Sequence, residues 1–461
     1  MDATCARIAV MEKTLTVVGG GLAGSEAAWQ AAKSGIWVKL FEMRPLQNTP
    51  AHVSPYLAEL VCSNSLGSTI TSKAPGLLKA ELRGLGSLIL ACAEETSVPA
   101  GSSLAVDRDS FAEAVTEKIE GHPNIELIRE EVLAIPDESC IIATGPLTSS
   151  SLSDSLATLS GKDYLYFFDA LSPIVNFDSI NMEIAYRASR HDTGDQEEGD
   201  YINCPFSKEQ YLSFNHELLA AEQITLREFE REDASFFEGC LPAEEIARRG
   251  IDSLRYGPMR PIGLTNPNTG FRPYAVLQLR QDNLAASLFN IVGFQTNLKW
   301  GEQRRVLRMV PGLEEAEFMR YGMMHRNTYI NSPELLHPTM QYRGKSDLFF
   351  AGQIVGAEGY VGNAATGFVA GINAARLLLN DYPVIFPTKT MIGSLCHYVT
   401  HAEAKNFQPM KPNFGLLPQP EERMQKADRY RYYRDRSLKQ LRRFCRDRRV
   451  AYDRTLAEAD S

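Results

Sequence analysis

Residues 14–45 carry a short apolar strand, a glycine-spaced turn, a helix and a second strand in unbroken succession, an order that few folds accept. Thr14-Leu-Thr-Val-Val18 is β-branched and apolar, the composition of a buried parallel strand. Gly19, Gly21 and Gly24 follow at once in G-x-G-x-x-G spacing, with Gly20, Leu22 and Ala23 between them. Ser25 to Lys33 is rich in helix formers and ends near Gly35, and Ile36 to Phe41 reads as a second strand with Glu42 at its carboxyl end. The first glycine permits the tight turn, the second lets backbone amides approach a pyrophosphate, and the third allows close packing of helix on strand. The helix N-terminus then faces the phosphates. Glu42 stands 23 residues beyond Gly19, where a carboxylate can accept hydrogen bonds from the hydroxyls of an adenosine ribose. The expected dinucleotide contacts are therefore Gly19, Gly20, Gly21, Leu22, Ala23, Gly24 and Glu42.

NAD would fit this unit as well as FAD, and two later segments bear on the choice. Cys140-Ile-Ile-Ala-Thr-Gly145 is a strand ending in Ala-Thr-Gly, and Asp347-Leu-Phe-Phe-Ala-Gly-Gln353 is a strand ending in Ala-Gly-Gln. Both resemble the later flavin contacts of two-dinucleotide-domain flavoproteins, which implies FAD, with Ala143, Thr144, Gly145, Gly352 and Gln353 beside it. That group usually ends its last strand in Gly-Asp; Gln353 is a departure that narrows the subfamily. Tyr360 could stack against or hydrogen-bond near the isoalloxazine, or be an ordinary half-buried tyrosine. The first and last of these segments are about 300 residues apart, so the cofactor domain is read as discontinuous. The expected fold is α/β, a Rossmann-like FAD-binding domain of residues 13–150 and 330–400. An inserted α+β domain spans 155–325, and a C-terminal segment with a basic helix spans 401–461.

The stretch from Ala351 to Ala375 resembles two related bacterial flavoprotein groups that modify tRNA uridines, a folate- and FAD-dependent uracil-5-methyltransferase and a larger carboxymethylaminomethyl-uridine enzyme. The runs Glu59–Ser65, Val106–Asp109, Phe237–Pro242, Tyr256–Pro261, Phe407–Met410 and Asn413–Leu417 are similar to the methyltransferase, as is the length of 461 residues. The resemblance implies methylation of the 5-carbon of a uridine in the T-loop of tRNA. It also implies 5,10-methylenetetrahydrofolate as carbon donor, reduced FAD as hydride source, and NADPH or NADH to recharge the flavin.

The chemistry asks for activation of the ring, commonly by a thiolate adding to the 6-carbon and pushing electron density to the 5-carbon. Eight cysteines, at 5, 62, 92, 140, 204, 240, 396 and 445, form no C-x-x-C pair, which argues against a disulfide framework and a structural zinc site. His397 and His401 stand four apart without the glutamate of a zincin helix, and no metal is expected. Cys240, in Glu238-Gly-Cys-Leu-Pro242, and Cys62, before Ser63-Asn-Ser65, stand out because they lie among turn-forming or small polar residues. Cys140 begins an apolar strand and reads as inert, while Cys204 is left open. The family resemblance implies that Cys240 is the RNA-directed nucleophile and that Cys62 has an auxiliary role beside the flavin, as acid/base or protective group.

Charge is unevenly placed. The chain carries a net −9, yet Arg423 to Arg449 holds twelve Lys or Arg against three Asp, a local +9 that leaves −18 on the rest. Tyr430, Tyr432, Tyr433 and Phe444 are interleaved with that basic run, a composition suited to RNA and not to DNA base reading. The alternative is a solvated amphipathic helix. Arg255, Arg260 and Arg272, among Tyr256, Phe271 and Tyr274, suit a loop lining an RNA site, the alternative, favoured for any single one, being a surface loop with ordinary arginines. No run of 18 apolar residues could span a bilayer, and the first twelve residues make a poor signal peptide, so a cytoplasmic enzyme without membrane contact is expected. The same chemistry on ribosomal RNA, a small-molecule flavin oxidoreductase, and an RNA-binding flavoprotein scaffold are the rivals.

Overall fold

The strand Thr14–Val18 lies at the centre of a five-stranded parallel sheet whose order runs Leu348–Phe350, Cys140–Ile142, Thr14–Val18, Trp37–Phe41, Ile125–Ile128. The computed structural model describes residues 13–49, 51–160, 165–170, 172–192, 199–224, 241–322 and 324–457. Register places Val18 opposite both Phe41 and Ile142, and Ile142 opposite Phe350. The strands therefore end at one level, and Gly19, Glu42, Ala143 and Ala351 emerge side by side at the carboxyl edge, where open parallel sheets bind their ligands.

Around this sheet pack helices α1 (Leu22–Lys33), α2 (Ala74–Leu85), α3 (Leu88–Glu95), α4 (Arg108–Glu120), α5 (Tyr360–Leu378), α6 (Met391–His401) and α7 (Lys426–Arg448). Their apolar faces join one core with the sheet. The closest crossing is between α1 and α5, and it depends on missing side chains. A Cβ on Gly367 would stand 2.3 Å from the Ala23 carbonyl oxygen, and one on Gly371 would stand 2.5 Å from that of Ala27. Both backbones approach nearer than any larger residue permits.

Two carboxylates are taken deep into this core to satisfy helix ends. Glu26 of α1 accepts the Ser87 hydroxyl at 2.6 Å and the Ile89 N–H at 3.0 Å, at the start of α3. Glu81 of α2 accepts the N–H groups of Met391 at 2.7 Å and Ile392 at 2.8 Å, at the start of α6, and the Ser437 hydroxyl of α7. Burial raises both carboxyls against these bonds, Glu81 to about 7.

A second unit is a six-stranded antiparallel sheet in the order Tyr186–Ala188, Tyr201–Phe206, Ala275–Gln281, Leu288–Ile291, Ile174–Asn176, Phe318–Arg320. Helix Lys208–Ala220 packs on it through Phe214, whose ring lies 5.4 Å from Phe206. The strand Ala275–Gln281 is buried at every position. A two-stranded antiparallel ladder, Leu165–Ala170 with Met324–Tyr329, runs between the units. Of the two readings of the basic tail, an appendage and a solvated helix, neither describes α7 fully. It buries Tyr433, Ser437, Leu441, Phe444 and Cys445 against the first core and exposes Lys439, Arg443 and Arg446.

Candidate active site

A cavity of about 140 Å³ opens at the carboxyl edge of the parallel sheet. Its walls include Gly19, Gly21, Leu22, Ala23, Glu42, Ala143, Thr144, Gly145, Gly352, Gln353 and Tyr360. Five separate stretches of sequence thus converge on one space. Gly20 and Gly24 lie behind the wall. The Gly20 N–H donates to Glu42 Oε2 at 3.0 Å, and Gly24 makes room for the Gly19 carbonyl. Gly19 has φ +103°, a conformation that only glycine adopts freely, whereas Gly21 has φ −76° and open space where a Cβ would stand. No side chain caps α1, so the N–H groups of its first turn are left for an acceptor in the cavity.

Glu42 is fixed from several directions. Oε1 accepts the Arg44 N–H and Nε, both at 3.0 Å, and Oε2 accepts Arg44 Nη2 at 3.3 Å besides the Gly20 N–H. Burial opposes the charge, but these donors outweigh it and hold the carboxyl below its usual range. Arg44, only 2 % exposed, also binds Glu59 at 3.0 Å. Neither Arg44 nor its bridging role was visible in the spacing of the glycines.

A second cavity of about 370 Å³ adjoins the first and shares Val61, Pro146, Leu147, Gln353, Tyr360 and Asn363 with it. Cys62 and Ser63 stand on its wall with Arg280, Glu358 and Lys411. The Tyr360 hydroxyl accepts the N–H of Cys62 at 2.9 Å and of Ser63 at 3.1 Å, which ties the start of α5 to the cysteine segment. Burial, then the neighbouring Cys62, raise the Tyr360 phenol, so it stays protonated.

Three guanidinium groups, unrecognised in the sequence as site residues, hold this segment from the far side. Arg108 Nη1 donates to the Leu60 carbonyl at 2.7 Å while its Nε pairs with Asp282 at 3.0 Å. Arg320 Nη2 donates to the Val61 carbonyl at 3.2 Å. Arg280 Nη2 donates to Ser63 Oγ at 2.7 Å and its Nε to Asn64 Oδ1 at 2.9 Å. Arg280 and Arg320 belong to the antiparallel sheet, so this wall is built by both units.

Among the described cysteines, Cys62 is half-buried at the cavity and the others are buried. Burial pushes the thiols of Cys92, Cys140, Cys396 and Cys445 up to about 12. Cys204, left open by the sequence, is fully enclosed and its thiol is raised for the same reason. Cys240 lies outside the described residues. His397 and His401 stack at 4.1 Å on α6, and no group able to hold a metal ion is found among the described residues.

The arginine and aromatic residues expected to line an RNA site lie on neither cavity wall. Arg260, Arg272, Tyr256 and Phe271 are exposed, Tyr256 at 69 % and Phe271 at 76 %, and the Arg255 guanidinium sits 4.2 Å from the Tyr274 ring centroid. No helix among the described residues is long and apolar enough to cross a membrane.

Residues 14–381 match the family model described as glucose inhibited division protein A. Two solved forms of GidA from Aquifex aeolicus share the fold. Form II superposes with a TM-score of 0.68 at 16 % identity, covering 96 % of this chain and 75 % of that one. Form I superposes with a TM-score of 0.65 at 17 % identity, covering 94 % and 78 %. The methylenetetrahydrofolate--tRNA-(uracil-5-)-methyltransferase TrmFO of Pelotomaculum thermopropionicum is 58 % identical, over 94 % of this chain and 98 % of its own length. That of Bacillus subtilis is 56 % identical, over 93 % and 98 %. At such identity over nearly the full length of both partners, the chain belongs to the glucose inhibited division protein A family and, within it, to the TrmFO methyltransferases.

Proposed function

We propose that the chain methylates the 5-carbon of a uridine in the T-loop of tRNA, taking a one-carbon unit from 5,10-methylenetetrahydrofolate. The observation that carries this reading is the junction of the two cavities, a dinucleotide groove opening directly into a chamber that presents Cys62 and Tyr360. The fit of FAD to the groove rests on the uncapped start of α1, the open space at Gly21 and the acceptor Glu42. Bound there, FAD would supply the hydride that turns a methylene into a methyl, after recharging by NADPH or NADH.

The residues divide the remaining work. The amides of Gly21, Leu22 and Ala23 would hold the pyrophosphate of FAD, and Glu42 would accept a ribose hydroxyl. Ala143, Thr144, Gly145, Gly352 and Gln353, on the same cavity wall, would hold the flavin end of the cofactor. The discontinuous parallel-sheet unit carries the cofactor, and the inserted antiparallel unit closes the chamber over it. Cys240 attacks the 6-carbon of the uracil, and Cys62 moves or guards a proton beside the flavin. Tyr360, held protonated, orients the Cys62 backbone. The exposed basic face of α7 and the Arg255–Tyr274 pair receive the RNA backbone.

Incubation of the flavin-loaded protein with the folate donor, NADPH and an unmodified tRNA transcript, followed by nucleoside analysis, tests the reading. 5-Methyluridine in tRNA is the expected product. NADPH consumption without an RNA requirement, or methylation of ribosomal RNA alone, overturns it.

A further inference from the structure

Arg280 is placed differently from its neighbours. Arg108 spends all three nitrogens on Asp282 and the carbonyls of Leu60 and Cys62. Arg280 spends only two, on Asn64 and Ser63, and makes no ion pair among the described residues. Its side chain rises from the fully buried strand Ala275–Gln281 and is 7 % exposed, yet it borders the second cavity. The anchor is itself anchored, because Asn64 Nδ2 donates to the Val106 carbonyl at 3.0 Å and the Gln281 carbonyl at 2.9 Å. The guanidinium plane is therefore set by a closed set of bonds that leaves Nη1 for an occupant of the cavity.

The charges around the chamber agree. Glu358 is the carboxylate on this wall, and it accepts Gln353 Nε2 at 3.0 Å. Lys411, the other cation there, has a partner of its own. The charge of Asp282 also reaches Arg280, but Asp282 is paired with Arg108. A buried guanidinium with no ion pair of its own is costly, and a rigid one facing a cavity suits an anion that exists only during reaction.

We propose that Arg280 is a catalytic residue that stabilises the negative charge developing on the 4-carbonyl oxygen of the target uracil. The inference rests on the reading of uridine as substrate. When the thiolate adds, a sulfur–carbon bond forms at the 6-carbon, the π pair between the 5- and 6-carbons moves toward the 4-carbon, and the carbonyl oxygen takes the charge. Nothing is oxidised or reduced. Nη1 donates to that oxygen, and the bond is stronger to the enolate than to the neutral ring.

The test measures covalent adduct formation between the FAD-loaded full chain and tRNA carrying 5-fluorouridine at the target position, for the parent and for Arg280→Gln, Arg280→Lys and Asn64→Ala. Flavin absorbance, tRNA affinity and the KM for the folate donor are followed in parallel. Arg280→Gln is expected to slow adduct formation on the order of 100-fold, the scale of a lost oxyanion donor. Arg280→Lys, which keeps charge without the planar fork, should lose roughly tenfold, and Asn64→Ala should fall between it and the parent. Bound flavin, tRNA affinity and folate KM should hold. An undiminished adduct rate in Arg280→Gln overturns the proposal, as does a loss confined to folate KM or to flavin retention. If the parent forms no adduct, the uridine reading falls first and takes this inference with it.

Discussion

Gly21 and Gly24 share one motif but answer to different partners, and alanine at each separates cofactor binding from protein packing. At Gly24 a Cβ would stand 1.8 Å from the Gly19 carbonyl oxygen, so α1 must withdraw by more than about 1 Å from the turn it packs on. Overpacking of this kind costs about 1–3 kcal/mol or more. At Gly21 nothing lies within 4 Å of the added carbon, and φ −76° with ψ −170° suits alanine. The protein itself should change by no more than about 0.5 kcal/mol. The new methyl instead projects where, on the proposed placement, a pyrophosphate would meet the first turn of α1. Losing one hydrogen bond to a charged oxygen costs about 1.5–3 kcal/mol, a weakening of FAD of roughly 10- to 150-fold. The assay is thermal unfolding of flavin-stripped protein together with fluorescence titration by FAD. Gly24→Ala should lower the unfolding midpoint, and Gly21→Ala should leave it in place while the FAD Kd rises. A Gly21→Ala protein that binds FAD as the parent does would refute the placement of the pyrophosphate. One that unfolds as early as Gly24→Ala would refute the division of roles.

Glu81→Gln tests the buried carboxyl. Its folded value near 7 lies above its ordinary 4.5, so the unfolded chain releases its proton first and stability falls as pH rises between those values, by on the order of 3 kcal/mol. Urea midpoints at pH 5 and pH 7.5 should converge in the variant, and parallel behaviour of the two proteins would count against it. Tyr360→Phe removes the acceptor of two N–H groups, at 2.9 and 3.1 Å, beside Cys62. We expect kcat to drop on the order of 10- to 100-fold with tRNA KM unchanged, because two donors lose their acceptor. Because α7 contributes Tyr433 and Leu441 to the core, deleting the tail would damage the fold, and RNA binding is better tested on its exposed face. Lys439→Gln, Arg443→Gln and Arg446→Gln together should weaken tRNA binding and flatten its salt dependence, by roughly 0.7–0.9 in log–log slope for each phosphate no longer neutralised. Unchanged slopes would place the RNA elsewhere. Alanine at Cys240 should abolish the 5-fluorouridine adduct while alanine at Cys62 should leave it; the reverse pattern would exchange their roles.

The strand, turn and helix of residues 14–33 were legible from the chain because their causes are local. Gly19 needs a positive φ, Gly24 must admit a carbonyl, and β-branched residues favour the strand before them. The ends of the strands at Ile142 and Phe350 were legible for the same reason, since an apolar run stopped by glycine marks the sheet edge wherever it occurs. The second wall of the site had no such signature. Tyr360 reaches Cys62 across 298 positions and Arg280 reaches Ser63 across 217. An arginine inside an apolar strand looks unfavourable until the partner that orients it is known. The basic run at 423–449 was equally ambiguous, because the same residues can float in solvent or bury one helical face, and only the complementary surface of α2, Phe386 and Phe414 decides. Local backbone geometry thus determined that the turn from Gly19 to Glu42 is open to a dinucleotide. Which charges stand opposite it was decided by the docking of one sheet against another, since the bonds that hold them exist only after both have folded.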